Sequence, residues 1–387
     1  MSQIEVSLRE EDPDIRSRLI NLKVRGKDIV TPRRSLCLRG ADSEARILRE
    51  SQHLHAINEL PRVIDRKKLE DIDNDADKQE EFYREIRYRF SGMDTAGEIT
   101  VFVYSYNNKG EDTRNKQPTS AEIEYLCGVL NHPFNDIWVP PIVPQLAGRA
   151  YIPYLKQFFE TVKSYQKTPF AGLIPHIARI ELRLLADLYA EEGINYLAID
   201  FAGKHPLDLV GNINEAVRIA SHIEKEYRTT CFLHALNVPI TRAHWKNLIV
   251  PAKDILLFAM GFNCFGSSHI IRRFPPEVLQ KMKSRIGRPF RLFNRGDYGY
   301  YRNDADGLRE MLAEKQATVI SLDSFKRNLT VEQISHLETL FNVERHGLEA
   351  AEIRRRLIEK DSLSKYIQGK SKMPQKYLNR VMKVGKD

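Results

Sequence analysis

Among the polar residues that end predicted strands, only Asp200 is a carboxylate. It closes the apolar run YLAID within NYLAIDFAG (195–203), where a charge without a partner would be costly to bury. Such a carboxylate is either tuned for chemistry, as a nucleophile or general base, or neutralised in a structural ion pair. The cations nearby in the sequence that could form that pair are Lys204 and Arg179. The sequence leaves both interpretations open.

Further polar residues follow the predicted strands at equivalent positions: His176, His234, Asn237, Asn263 and Ser267. The two histidines occupy the same place in successive strand–helix units, each after apolar residues and before a turn. They either flank a shared pocket or are structural residues with satisfied hydrogen bonds. No HxxxH, HExxH or Asp-rich spacing occurs, so we expect neither a catalytic metal nor another cofactor.

A basic and aromatic stretch, 272–301, follows the last clear strand. Its basic residues include Arg272, Arg273, Lys283, Arg285 and Arg288, and phenylalanines and tyrosines are interleaved with them. Guanidinium groups bind phosphates while aromatic rings stack on unpaired bases, which is typical of nucleic-acid binding. The alternative is an amphipathic surface with a solvated arginine face.

The net charge of +8 is concentrated at the end of the chain. Eleven Lys and Arg residues against four Asp and Glu residues lie between Glu352 and Asp387, beginning with Arg354, Arg355 and Arg356. Because basic side chains displace counterions from nucleic acid, this block predicts phosphate contacts. A solvated helical tail is the alternative.

Composition excludes several classes of protein. With 42% hydrophobic and 29% charged residues, the chain has an ordinary globular composition. It shows neither a long apolar run nor a signal-peptide core, so we expect no membrane contact and no secretion. The four cysteines form no CxC or CxxC pair, which argues against a zinc site or a disulfide scaffold and favours the cytoplasm.

Strand-like and helix-like segments alternate from Glu98 to Ser268, which is typical of βα units around a parallel sheet. About 250 residues are needed for a (β/α)8 TIM-like barrel, and roughly residues 20–320 supply them. An open doubly wound sheet is the alternative, although no glycine-rich phosphate loop is present. We therefore expect a barrel over 1–320 with a charged insertion at 60–97, followed by a basic helical appendage over 321–387.

Several segments together resemble the tRNA-guanine transglycosylase superfamily, whose barrels exchange a purine base in nucleic acid for a 7-deazaguanine. GKDIVTPRRSL (26–36) is similar to the family's opening β-element, and SAEIEYLCGVLNHPFNDIWVPP is similar to its helix and strand before the base pocket. GFNCFGSSHIIRR resembles the family's nucleophile motif. The resemblance implies a DNA or tRNA partner and a 7-deazaguanine base. From their shared position at strand ends, we expect His176, His234, Asn237, Asn263 and Ser267 to bind that base.

The chain departs from the family at three places. Gly266 stands where the family's nucleophilic Asp belongs, and Tyr104–Gly110 (YSYNNKG) lacks the acid of its general-base loop. The cysteines and histidine of the family's zinc site are missing. Two functions follow: a divergent base-exchanging pentosyltransferase in which Asp200 is catalytic, or a non-catalytic homologue that binds nucleic acid or pairs with an active subunit. The second function implies a heterodimer, and a homodimer is the other form considered.

Overall fold

The computed structural model describes the chain in sections: residues 4–40, 42–91, 93, 97–107, 116–144, 146, 148–165, 169–240, 247–270, 277, 280, 289–303, 319–320, 324–325 and 329–385. The statements below concern these residues.

An eight-stranded sheet forms the centre of the fold, and every neighbouring pair of its strands is parallel. In spatial order the strands are β7 (Ile137–Trp138), β6 (Ile99–Asn107), β5 (His55–Asp65), β4 (Arg33–Cys37), β12 (Cys264–Ser267), β10 (Phe232–Val238), β9 (Tyr196–Asp200) and β8 (Gly172–Ile174). Strands β9 and β10 are buried at every position, as expected for a parallel sheet covered on both faces. The predicted α/β class with a parallel sheet is confirmed.

The two edge strands, β7 and β8, approach each other without forming a continuous ladder. Trp138 makes one isolated parallel bridge with Phe170, just before β8. Its amide donates to the Pro169 carbonyl at 2.9 Å, and its carbonyl accepts from the Ala171 amide at 2.8 Å. The sheet is therefore strongly curled, and this single bridge is the described backbone connection between its edges.

Two small antiparallel sheets flank the parallel one. The first contains β1 (Glu5–Glu11), β2 (Arg18–Val24) and β3 (Lys27–Thr31), and the second contains β11 (Ile249–Pro251), β14 (Gly299–Asn303) and β13 (Phe290–Asn294). The pattern of ITRAHWKNLIVPA (240–252) by itself predicts a short helix. That expectation is wrong for 249–251, which pair with β14, and 241–246 lie outside the described residues.

The described helices mostly follow the strands of the parallel sheet. They are α1 (Glu44–Ile47), α2 (Arg66–Asn74), α3 (Ala76–Phe90), α4 (Ser120–Leu130), α5 (Tyr151–Ser164), α6 (Arg179–Leu182), α7 (Leu184–Glu191), α8 (Val210–Tyr227), α9 (Val331–Glu359), α10 (Leu363–Gln368) and α11 (Gln375–Val381). Helix α4 begins at a capping box in which Thr119 and Glu122 each bond the other's backbone amide. None of the helices in these sections is both long and apolar enough to span a bilayer.

The expected insertion at 60–97 is wrong. Residues 60–65 complete β5, which pairs with β4 on one side and β6 on the other, inside the parallel sheet. Helix α3 buries Phe82, Ile86 and Phe90 at helical spacing and carries its charges on the opposite face. The many charged residues of that solvent face hid an ordinary strand–helix unit.

The C-terminal segment packs on the body of the molecule instead of forming a separate appendage. Helix α9 contacts β13 and β4. Beyond it, the apolar residues Leu363, Ile367, Leu378 and Val381 are buried in the main hydrophobic core. Basic residues such as Lys365 and Lys372 stay exposed between these core residues, whereas Lys370 is buried and donates to the Arg295 carbonyl.

We expect truncation after Glu352 to unfold the protein rather than only to weaken nucleic-acid binding. The cut removes at least five buried apolar side chains, each worth about 1.5–3 kcal/mol, against a total stability of about 5–15 kcal/mol. Thermal unfolding and solubility test this expectation. The control variant Lys365→Gln/Lys372→Gln changes two exposed charges of the block and is expected to fold normally. A folded, soluble truncation would contradict the packing described here.

Candidate active site at the carboxyl ends of the strands

Asp200 is the last residue of β9, and only 7% of it is exposed. Its Oδ1 accepts hydrogen bonds from the Ala202 amide at 2.9 Å and from Asn237 Nδ2 at 2.8 Å. Lys204 instead contacts His176, with 2.6 Å between Nζ and Nε2. Within the described ranges neither Lys204 nor Arg179 forms an ion pair with Asp200, so the structural ion pair considered from the sequence is not formed.

Burial raises the pKa of Asp200 above its ordinary value. The hydrogen bonds from Asn237 and Ala202 and the nearby His176 oppose that rise without cancelling it. Asp200 is thus a relatively basic carboxylate held by two neutral donors. That environment suits a group that gains and loses a bond or a proton during a reaction.

Asn237 connects Asp200 to the next strand. It lies where the register of β10 against β12 shifts, between Ala235 and Val238, and its backbone has a left-handed φ of 57°. Asn tolerates this conformation better than most residues. Its Nδ2 donates to Asp200, and its Oδ1 accepts from the His269 amide at 2.9 Å. One side chain therefore fixes both the carboxylate and the start of the segment that follows β12.

A second acidic centre, Glu59 of β5, lies inside the sheet and is completely buried. Its Oε1 lies 2.8 Å from His234 Nε2, and its Oε2 is hydrogen-bonded to His269 Nε2. The other nitrogen of His234 lies 2.8 Å from the Tyr196 hydroxyl. Burial alone would raise the pKa of Glu59, but the hydrogen bonds from the two histidines lower it to about 2. Glu59 is therefore ionised at neutral pH.

Gly266 of β12 makes room for this carboxylate. A Cβ atom at position 266 would lie 1.8 Å from Glu59 Oε1 and 2.2 Å from its Cδ. The carboxylate of Glu59 thus occupies the space into which a side chain at 266 would project. An acid of β5 therefore lies beside β12 at the position of a missing side chain.

The predicted base-binding residues separate into different places. His176 is half-buried near Asp200, and Asn237 donates a hydrogen bond to Asp200. His234 is fully buried with Glu59, away from solvent. Asn263 precedes β12, so it lies at the opposite end of the parallel strands from Asp200, and its Oδ1 accepts from the Leu233 amide. The prediction that Asn263 lines the same pocket as Asp200 is wrong, because Asn263 precedes β12 instead of following a strand.

Ser267 takes part in a buried polar network. It accepts a hydrogen bond from Arg34 Nη2 at 2.7 Å and donates one to Glu44 Oε1 at 2.9 Å. Arg34 also donates to the carbonyls of Ser35 and Phe265. The hydrogen bonds of Ser267 thus connect β12 to β4 and α1. Its predicted base-binding role stays a prediction.

The predicted nucleic-acid contacts fall into two groups. Arg272, Arg273, Lys283, Arg285 and Arg288 lie outside the described residues. Arg354 is partly buried and donates to the Pro32 carbonyl, whereas Arg355 pairs with Glu352 and Glu359. Arg356 pairs with Glu352 and lies 4.0 Å from the centre of the Tyr366 ring. Arg354, Arg355 and Arg356 thus all have partners within the chain.

Glu59 is the functional candidate that sequence reasoning missed. The run HAINEL (55–60) adjoins the charged segment 60–97, and its mixture of polar and apolar residues does not by itself predict a strand. An acid among the apolar residues of that run is the signal that could have revealed Glu59. In the described sections no group of three or more His, Cys, Asp and Glu residues is arranged to hold a metal. One cleft lies among α2, α3, α4 and α5, lined by Tyr83, Tyr125 and Tyr165, away from these acids.

We expect the stability of the protein to depend on the ionisation of Glu59. Folding lowers its pKa from 4.5 to about 2, so the charge stabilises the fold above pH 4.5, and this contribution is lost as the pH falls toward 2. Chemical unfolding at pH 7 and at pH 3 measures how much free energy of unfolding is lost between the two pH values. That loss should be smaller for Glu59→Gln than for the wild type. Glu226→Gln, at an exposed carboxylate, is the control. Equal losses in Glu59→Gln and the wild type would contradict the lowered pKa of Glu59.

Comparison with models of known protein families gives no match for this chain, and neither does comparison with curated proteins.

Proposed function

We propose that this chain is a transglycosylase-like (β/α)8 barrel that exchanges a guanine base in DNA or tRNA for a 7-deazaguanine, with Asp200 as the reacting carboxylate. One observation carries the proposal. Asp200 is a nearly buried acid at the carboxyl end of a parallel strand, held by an amide and a backbone N–H and by no ion pair among the described residues. Barrel enzymes place their reactive groups at this end of the strands.

Among the described residues, only one oxygen of Asp200 is hydrogen-bonded. Oδ1 accepts both hydrogen bonds, and no described residue donates to Oδ2. Oδ2 is therefore the atom available to a sugar. The raised pKa of Asp200, caused by burial, makes the ionised form a stronger nucleophile toward carbon than an exposed carboxylate would be.

The proposed reaction proceeds in two displacements. Oδ2 of Asp200 bonds to C1′ of the guanosine, and the C1′–N9 bond breaks with its electron pair going to N9, which takes up a proton so that neutral guanine leaves. N9 of the incoming 7-deazaguanine then loses its proton and bonds to C1′. The C1′–O bond breaks, and its electron pair returns to the carboxylate.

The bridge between Trp138 and Phe170 supports closure of the curled sheet into a barrel. The four cysteines are unpaired and buried, which favours a reducing compartment such as the cytoplasm. Both the barrel closure and the cytoplasmic location are parts of the proposal.

Release of labelled guanine tests the proposed activity. The wild-type chain is incubated with tRNA or with DNA that carries radiolabelled guanine, in the presence of excess unlabelled 7-deazaguanine. We expect one of the two polymers to release label. Release in turnover amounts should require the incoming base. If neither polymer releases label, the proposed exchange is wrong.

A second function is favoured by the complete burial of Glu59. An acid sealed between two histidines also suits a structural network, and the barrel would then bind nucleic acid without acting on it or would pair with an active subunit. Crosslinking of the chain to tRNA or DNA without release of guanine would support this alternative.

A further inference from the structure

His269 lies between the two acidic centres. Its Nε2 is hydrogen-bonded to Glu59, and its backbone amide donates to Asn237, which in turn donates to Asp200. About 8% of His269 is exposed, whereas Glu59 is fully buried. The imidazole thus covers the buried acid on the side of the strand ends where Asp200 lies.

The hydrogen bond to Glu59 determines which nitrogen of His269 can exchange a proton. An ionised carboxylate only accepts, so Nε2 carries a proton. Nδ1 lies 3.7 Å from the Cys37 sulfur, and a thiol is a weak partner. Nδ1 is therefore the nitrogen at which a proton can be gained and lost. A carboxylate behind an imidazole is the arrangement that orients a general acid or base.

The thiols and the tyrosine hydroxyl around Glu59 and His269 stay protonated. Burial raises the pKa of Cys37 on β4 and that of Tyr196 on β9 well above their ordinary values. Burial also raises the pKa of Cys264 on β12 to about 12. Their protons are held at neutral pH.

The remaining charged groups on the packed elements are bonded elsewhere. Glu44 of α1 accepts from the Cys37 amide and from Ser267, and Arg34 of β4 donates to carbonyls and to Ser267. His234 of β10 is fully buried on the other oxygen of Glu59. Among the described groups that face Glu59, His269 is the imidazole that keeps some exposure, about 8%, whereas His234 has none.

We propose that His269 transfers the proton of the exchange reaction at Nδ1, and that Glu59 is the residue that positions it. This inference rests on the proposed function. Protonated His269 gives its Nδ1 proton to N9 of the leaving guanine and becomes neutral. It then takes the N9 proton of the incoming 7-deazaguanine at Nδ1, so the enzyme returns to its starting state.

The geometry of β12 supports this division of work. Because residue 266 is glycine, the Glu59 carboxylate reaches through the space beside β12 to His269. Asn237 keeps the His269 backbone and Asp200 in a fixed relation. A nucleophile and a proton donor are thus held by the same amide side chain.

The test compares His269→Gln with Glu59→Gln in the guanine-release assay over a range of pH. Glutamine at 269 can still donate to Glu59 but cannot carry a proton, so kcat is expected to fall roughly 10²–10⁴-fold with little change in KM, and the part of the pH dependence of kcat that His269 contributes should disappear. Glu59→Gln is expected to lose roughly 10–100-fold while keeping that pH dependence. His222→Gln, at an exposed histidine of α8, is the control and should match the wild type.

A second measurement does not depend on activity. Nitrogen-15 spectra of the histidine side chains should show His269 protonated at Nε2 in the wild-type protein. Protonation at Nδ1 alone would overturn the pairing with Glu59. Release of guanine by the wild type together with an unaltered pH profile in His269→Gln would overturn this inference but leave the proposed function standing, whereas no release by the wild type would overturn both.

Discussion

Replacing Asp200 with Asn is expected to abolish guanine exchange while leaving the protein at least as stable as the wild type. Removing a covalent nucleophile typically costs roughly 10⁴-fold or more in kcat. The Asn side-chain oxygen can still accept from Ala202 and Asn237, so the local hydrogen bonds survive. The assay is label release, combined with thermal unfolding at pH 7.

The sign of the stability effect follows from the pKa of Asp200. Because folding raises that pKa, the ionised form is disfavoured in the folded state, and the charge costs stability at pH values above the folded-state pKa. A neutral Asn removes that cost. Asp208→Asn, at an exposed carboxylate, is the control and should change neither property. A marked fall in melting temperature with retained exchange would make Asp200 a structural residue.

Replacing Gly266 with Ala is expected to destabilise the protein strongly. The added methyl group would overlap the Glu59 carboxylate, with Cβ only 1.8 Å from Oε1. The acid would have to leave one or both histidines, and leaving a buried charge without its hydrogen-bond partners costs about 3–5 kcal/mol. Chemical unfolding of the variant measures the loss.

Two further variants identify the cause of that loss. Gly128→Ala lies in α4 with no atom within 4 Å of its new Cβ, so it should be neutral or stabilising by up to about 1 kcal/mol. In the double variant Gly266→Ala/Glu59→Ala the clash is removed, and the combined loss should be smaller than the sum of the single losses. Additive losses would show that Gly266 and Glu59 do not meet.

The sequence predicted the parallel sheet well because its central strands are continuous apolar runs. YLAID and FLHALNV are buried throughout, and the helices between them have clear apolar faces. The strand β5 was missed because HAINELPRVID mixes polar residues into a buried segment. One of these polar residues, Glu59, is buried against His234 and His269, which is a tertiary effect that local patterning does not reveal.

The candidate site was predicted in part. Asp200 ends β9 and Asn237 lies near the end of β10, and the structure brings them within hydrogen-bond distance. Glu59 comes from a strand far away in the sequence and reaches His234 and His269 only after the sheet curls. In the sequence, Gly266 is only a position without an acid. The packing shows that the absence of a side chain at 266 leaves the space that the Glu59 carboxylate occupies.

Trapping of a covalent intermediate tests the central claim most directly. The wild-type chain is mixed with its guanine-containing polymer in the absence of an incoming base and denatured, and the protein is digested for mass spectrometry. We predict a nucleic-acid adduct on the peptide that contains Asp200, absent from Asp200→Asn and discharged when 7-deazaguanine is added before denaturation. Guanine release without an adduct, or an adduct on any other residue, would contradict the assignment of Asp200 as the reacting carboxylate.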